Sequence, residues 1–245
     1  MKNLAFSFAA LILAMLGPGA SPARADIVKI GTEGAYAPYN FLNDKGEVDG
    51  FERELGDALC LHAGLVCQWI TDRLDRLQTD LLGGQVDALM AGLVVTPEQQ
   101  KAVGFSQDYL PPAKSVFVAL NPSAKIKKGP VAVQAGSVQA AYAGGLGTRV
   151  AAVPTVGEAV DAVRNGKAAA ALLAEGYAGP ILADAKGALV VLGAPVAAGG
   201  GTAIALRPDD GALRQKFDAA LTAMKGDGSL NAMIVKWFGA GAARY

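Results

Sequence analysis

The chain has 245 residues, of which 52% are hydrophobic and 18% charged, with 22 Lys plus Arg against 22 Asp plus Glu. This is the composition of a folded globular protein, and without a basic run it has no electrostatic grip on a phosphate backbone, so no nucleic-acid partner is expected. One histidine, His62, and two cysteines are too few for the usual zinc ligand sets or a histidine-dependent triad, so neither a metal nor a cofactor is expected.

The first element is a leader. Met1-Lys2-Asn3 is a short cationic segment, Leu4 to Leu16 is an apolar run, Gly17-Pro18-Gly19 breaks it, and Ala23-Arg24-Ala25 places small residues where a signal peptidase reads. Cleavage is expected before Asp26. The run is shorter than the roughly 20 apolar residues of a membrane anchor, and no cysteine near the cut is placed to carry a lipid. The mature chain, mildly acidic once Lys2 and Arg24 are gone, is therefore expected to be exported and soluble.

Next, Phe51, Leu55, Leu59 and Ala63 recur at helical spacing, Gly64 stops the helix, and Leu65 to Ile70 read as a strand. Cys60 and Cys67 lie on the two sides of that turn. In an oxidising compartment they are expected to form a disulfide stapling helix to strand.

A unit of helix, glycine turn and buried strand then occurs twice. Leu74, Leu77 and Leu81 end at Gly83-Gly84 before the strand Val86 to Val95. Val156, Ala159, Val160 and Val163 end at Asn165-Gly166 before the strand Ala168 to Leu173. Continuous apolar strands alternating with helices indicate α/β architecture with mostly parallel sheets covered on both faces. Two such blocks suggest two lobes: residues 26–112 with 204–245, and residues 113–203. An extended crossover is expected over Tyr109 to Asn121, around Pro111-Pro112. A second is expected at Thr202 to Leu206, after Gly199-Gly200-Gly201. Two C-terminal helices complete the first lobe: one carries Leu213, Phe217, Leu221 and Met224 on a face, the other starts at a Ser229 cap and carries Leu230, Ile234 and Trp237. Two lobes joined by two crossovers make a hinge.

Several short motifs run in order along nearly the whole mature chain. They are Ile30-Gly31-Thr32-Glu33 with Ala35-Tyr36-Ala37-Pro38-Tyr39, Gly50-Phe51-Glu52-Arg53-Glu54-Leu55, and the cysteine pair. After these come Asp87-Ala88-Leu89-Met90-Ala91-Gly92-Leu93, Thr96-Pro97-Glu98, Phe105-Ser106-Gln107-Asp108-Tyr109, and Asp227-Gly228-Ser229-Leu230 with Trp237-Phe238-Gly239. Together they resemble the periplasmic solute-binding proteins of ABC importers, specifically the amino-acid type, bacterial extracellular solute-binding family 3. The resemblance implies a type II periplasmic-binding fold, each lobe a mixed, mostly parallel sheet flanked by helices. It also implies a periplasmic monomer that captures a small solute in the interlobe cleft by hinge closure, presents it to an inner-membrane ABC permease, and is not an enzyme.

Carried over position by position, the resemblance makes Tyr36, with Tyr39 nearby, an aromatic wall, and Leu74 a second apolar wall. Glu33 stands where binders of basic amino acids carry an acid. Ala91 and Gly92 take places that contact the ligand amine, and neither offers a hydroxyl. Val94 replaces the usual Ser or Thr. Gln99 stands where the family has a carboxylate-clamping arginine, and Ala174, with Glu175 one residue on, where it has the acid for the α-ammonium. Gln134, Gly136, Ser137 and Val138 form a strand-to-helix turn whose free N–H groups suit an anion. A neutral glutamine does not replace a bidentate guanidinium, and losing one partner of a buried charge pair costs about 2–5 kcal/mol. The ligand is therefore expected not to be an ordinary zwitterionic α-amino acid, but a less charged, partly aromatic or hydroxylated solute. A register slip would bring Glu175 in.

Plainer local readings stand beside these. Thr96-Pro97-Glu98-Gln99 is a capping box, so Gln99 either faces ligand or bonds back to the cap. Glu33 is either a ligand acid or a solvated strand end. Glu52 and Glu54 suit a helix N-terminus better than a metal. His62 reads as a surface helix residue, Gly144 to Gly147 as a loop, and Trp69 and Trp237 as core or half-buried. Two other functions share the scaffold: a cyclohexadienyl-dehydratase-like lyase with desolvated Glu33 or Glu175 as general acid, and an accessory protein to a periplasmic dehydrogenase.

Overall fold

The computed structural model describes residues 26–245, so the expected leader, residues 1–25, lies outside the described residues. The chain opens with β1 (Ile27–Thr32), then folds β2 (Ala35–Tyr36), β3 (Asn40–Leu42) and β4 (Val48–Asp49) into a small antiparallel sheet. Next come α1 (Phe51–His62), β5 (Val66–Thr71), α2 (Leu74–Leu82), β6 (Ala88–Leu89), a 3-10 turn at Gln99–Lys101 and β7 (Gly104–Leu110). The second lobe holds β8 (Ser115–Ala119), β9 (Val131–Gln134), α3 (Val138–Gly145), β10 (Val150–Val153), α4 (Val156–Arg164), β11 (Ala170–Ala174), α5 (Glu175–Asp184) and β12 (Val190–Val196). The chain returns through β13 (Thr202–Leu206) and ends in α6 (Gly211–Gly226) and α7 (Ser229–Phe238).

The two five-stranded sheets share one plan. The first runs β5-β1-β6-β13-β7 and the second β10-β9-β11-β8-β12. In each, three parallel strands are followed by an antiparallel one, which is the strand by which the chain enters that lobe: β8 in the second, β13 in the first. The repeated helix–turn–strand unit is the α2–β6 and α4–β11 pair, and both strands are buried as their continuous apolar runs require.

Several expectations change in detail. The strand expected over Val86 to Val95 narrows to β6, because the backbone turns at Gly92, whose φ is 64°, before Val94 bridges to Thr202. The segment after Pro111-Pro112 is not only a crossover, since β8 is a fully buried ladder strand, and the crossing itself is residues 111–114. Thr202 and Ala203 pair with β7, so the chain is back in the first sheet two residues before the expected boundary at 204. Gly201 lies so close to Asp108 that an added Cβ would sit 2.4 Å from its carboxylate, and at Gly199 one would sit 2.5 Å from Val94. The glycine run is thus a passage between closely packed walls. Gly144 and Gly145 end α3 instead of forming a separate loop. Ser229 begins α7 but does not cap it: Gly228, at φ 82°, holds the cap position, and the Ser229 N–H donates to Asp227 at 2.8 Å.

Cys60 and Cys67 are bonded, with their Cα atoms 5.9 Å apart, joining α1 to β5. His62 is exposed on α1, as its sequence context indicates.

Candidate ligand-binding cleft

Between the lobes, Tyr36, Tyr39, Leu74, Ala91, Gly92, Val94 and Gln99 from the first face Gln134, Ser137 and Val138 from the second, around a narrow cavity of about 50 Å³. Ten of the candidate residues therefore meet in one place, although they come from five separate stretches of chain. Strand ends and the turns after them bring them there: β1 delivers the Tyr36 loop, β6 delivers Ala91 and Gly92, and β9 delivers Gln134 and Ser137.

The aromatic wall is a stack of three. Tyr36 lies between Tyr39, with ring centroids 4.5 Å apart and planes 6° apart, and Tyr177 of the opposite lobe, 5.1 Å away at 26°. Gly92 permits this arrangement, since an added Cβ would sit 2.7 Å from Cε1 of Tyr36 and its φ of 64° already disfavours any side chain. Tyr177 escaped sequence reasoning; its signal was an aromatic in the first turn of a helix that follows a cleft-facing strand end.

Glu33 is not among the residues lining this cavity, but beside it its side chain bonds across to the second lobe. One carboxylate oxygen accepts a short hydrogen bond from the Gln134 side-chain amide, which also donates to the Pro154 carbonyl at 3.2 Å. The other oxygen, Oε2, is buried with no partner among the described residues. Burial raises the Glu33 pKa, the Gln134 bond offsets part of that, and the Glu52 charge adds to the rise. Of its two readings, the solvated strand end is therefore the one that fails.

Gln99 bonds back to the cap and also lines the cavity. Its N–H donates to the Thr96 hydroxyl at 3.2 Å, that hydroxyl donates to Gln99 Oε1 at 3.3 Å, and the residue still lines the cleft. The Ser137 hydroxyl caps α3, donating its hydrogen to the Gln134 carbonyl at 2.7 Å and accepting from Ala140 N–H at 3.1 Å. Toward a ligand it therefore has a lone pair but no donor to offer.

Glu175 is the correction among the candidates. It is exposed at the start of α5, and its side chain lines a different cavity, while Ala174 faces the cleft. Ala174 pairs with Ser115, and the Glu175 N–H donates to the Lys114 carbonyl at 2.9 Å, so the register is fixed and no slip brings the acid in. Lys114, Ser115, Gln139, Gly199 and Thr202 line the cleft without having been singled out. Lys114 and Ser115 follow the Pro111-Pro112 crossover, and a crossover between two lobes necessarily passes beside the cleft.

Glu52 stands in the first turn of α1, as expected, and is in addition a fully buried hub, accepting from Asn40 Nδ2 at 2.6 Å, from Gly92 N–H at 2.7 Å, and from the Tyr109 hydroxyl in a short bond. It stands three residues before Leu55 and seven before Leu59, on the apolar face, and that spacing was readable. Burial raises its pKa against the lowering effect of these three donors. Glu54 does behave as a surface acid: it accepts from Lys236 Nζ and from the Trp237 indole N–H, each at 2.6 Å, tying α1 to α7.

The profile described as "Bacterial extracellular solute-binding proteins, family 3" matches residues 28–240. The lysine/arginine/ornithine-binding periplasmic protein of Escherichia coli is 30% identical, covering 97% of each chain. The L-arginine-binding protein of Pseudomonas aeruginosa is 30% identical over 86% of this chain and 87% of its own. Among solved structures, a periplasmic His/Glu/Gln/Arg/opine family-binding protein from Silicibacter pomeroyi in complex with lysine superposes with a TM-score of 0.87 at 48% identity. It covers 89% of this chain and 100% of its own.

Proposed function

The chain belongs to the bacterial extracellular solute-binding proteins, family 3, with the two-lobed type II periplasmic-binding fold, and on that premise we propose that it is a periplasmic receptor delivering a small solute with one basic end to an inner-membrane ABC permease. The observation that carries this reading is the charge inventory of the cleft. Beside the cleft, Glu33 is bonded across to Gln134 and keeps a buried oxygen that has no hydrogen-bond partner among the described residues, while the cleft's own lining has exposed Lys114 as its charged side chain and Gln99 and Ala174 are neutral. A buried acceptor without a donor calls for one, and an ammonium or guanidinium group supplies it in charge-assisted form. The relatives named for binding lysine, arginine and ornithine support a basic ligand.

The α-amino-acid end of such a ligand has no guanidinium for its carboxylate at Gln99 and no acid for its ammonium at Ala174, and Lys114, the cation in the lining, is exposed and offers no desolvated bidentate clamp in its place. The preferred solute is therefore a basic one without the zwitterionic head. Closure supplies the affinity: Glu33 bonds to Gln134 and Tyr36 stacks on Tyr177 only across the lobes, so a ligand that bridges both shifts the open–closed equilibrium in proportion to its preference for the closed form. No covalent step is needed.

Calorimetry with matched pairs tests this: lysine against cadaverine, and arginine against agmatine. The decarboxylated amines are expected to bind at least tenfold tighter than the amino acids, and Glu33→Gln to abolish the difference by removing amine binding. A micromolar Kd for lysine that exceeds cadaverine's affinity, or amine binding unchanged in Glu33→Gln, sinks the reading.

A further inference from the structure

On the far side of Tyr39 from the cleft lies a second cavity of about 580 Å³, open between the lobes beside the first crossover. Tyr39, Ala113 and Lys114 line both spaces. Its aromatic wall is held in place: Phe238 packs on Tyr39 with ring centroids 4.8 Å apart, and the Trp237 indole N–H is fixed on Glu54 at 2.6 Å. Pro112 from the crossover and Pro180 from α5 add flat, rigid apolar surface.

Two opposite charges face this apolar space, Lys114 and Glu175. They are cross-strand neighbours through the Glu175 N–H bond to the Lys114 carbonyl, yet neither takes part in the ion pairs among the described residues. Fixed aromatic faces beside one cation and one anion not spent on each other complement a small molecule with an aromatic body and both charges.

We propose that this hinge cavity is a second ligand site, for an aromatic amino-acid zwitterion, with the ring against Trp237 and Phe238, the carboxylate on Lys114 and the ammonium on Glu175. Both lobes line the site and Tyr39 is a wall common to it and the cleft, so its guest acts on the same opening and closing motion as the cleft ligand. The proposal is independent of the cleft's solute.

The test is calorimetry on the mature chain with L-phenylalanine, phenethylamine and phenylacetate. L-phenylalanine is expected to bind, and each singly charged analogue to bind several-fold more weakly. Gly179→Phe places a ring at the cavity wall, from a position where a Cβ meets no atom within 4 Å beyond its own helix turn. It is expected to cut L-phenylalanine affinity at least tenfold while the melting temperature and cadaverine binding stay unchanged. Glu175→Gln, at an exposed position, is expected to weaken L-phenylalanine about fivefold and to leave phenylacetate unaffected. No binding of L-phenylalanine at about 10 mM, where a millimolar site would still give a shift, overturns the proposal. So does binding that survives both variants but is lost in Glu33→Gln or in the cleft-filling Val94→Trp, because that places the guest in the cleft.

Discussion

The two lobes share a sheet plan but are filled differently. The first is packed with large side chains, among them Phe51, Tyr109, Phe217, Met90 and Met224, and closed by α6 and α7. The second is packed with valines and alanines, including fully buried Ala132, Ala143, Ala159, Ala170 and Ala171, with Phe117 as its one buried aromatic among the described residues. The same topology thus tolerates two solutions. In one, long side chains span the distance between sheet and helix; in the other, small ones bring helix and sheet together. Only the first lobe also carries a disulfide and a buried carboxylate hub.

The sharpest way to break this comparison is to make opposite errors in the two cores. Phe217→Ala opens a cavity in the first lobe and is expected to cost about 3–5 kcal/mol. Ala171→Val overfills the second and is expected to cost about 1–3 kcal/mol. Chemical denaturation measures both, and a neutral or stabilising Ala171→Val would mean the second core has slack rather than close packing.

Next in size is the staple. Replacing Cys60 and Cys67 by serine removes the constraint on a short loop and is expected to cost about 2–3 kcal/mol. Hydrogen exchange should show the loss in α1 and β5, with the second lobe unchanged. Equal deprotection of both lobes would show that they unfold as one unit.

Glu52 gives the smallest but most diagnostic effect. Glutamine there sets an NH₂ against Asn40 Nδ2, which is itself a donor, so a loss of about 1–3 kcal/mol is expected. The folded-state pKa is raised above its ordinary value. Its stabilising contribution is therefore fully present below the ordinary carboxylate pKa and is lost as pH rises through the raised one. The deficit of Glu52→Gln against the natural chain should accordingly shrink as pH is raised from about 4.5 toward 8. A deficit that grows instead would mean that the three donors outweigh burial.

The cleft was more legible than the fine structure around it. Tyr36, Gln99 and the Gln134–Val138 turn were assigned to one site from motifs, and the structure brings them together. Glu175 was placed wrongly because one residue of strand register decides which side chain faces the cleft, and sequence adjacency to Ala174 says nothing about that. Glu52 stands in the first helical turn, as the electrostatic rule places it, but its burial was not drawn from the helical spacing that sets it on the apolar face.

By itself the sequence determined the disulfide pairing, the repeated helix–strand unit and the two-lobed plan. All of these depend on residue type and on spacing within a short stretch. Only the tertiary structure decided that Tyr177 stacks on Tyr36, that Gln134 bonds to Glu33, that Glu52 is shared by Asn40, Gly92 and Tyr109, and that a second cavity adjoins the cleft through Tyr39. The stack and the Gln134 bond unite residues more than a hundred positions apart, Gly92 and Tyr109 reach Glu52 from 40 and 57 residues away, and the second cavity gathers both lobes with the C-terminal segment. Their geometry is set by the packing of segments distant in sequence, within the first lobe for the Glu52 hub and between the lobes for the rest, which no local propensity encodes.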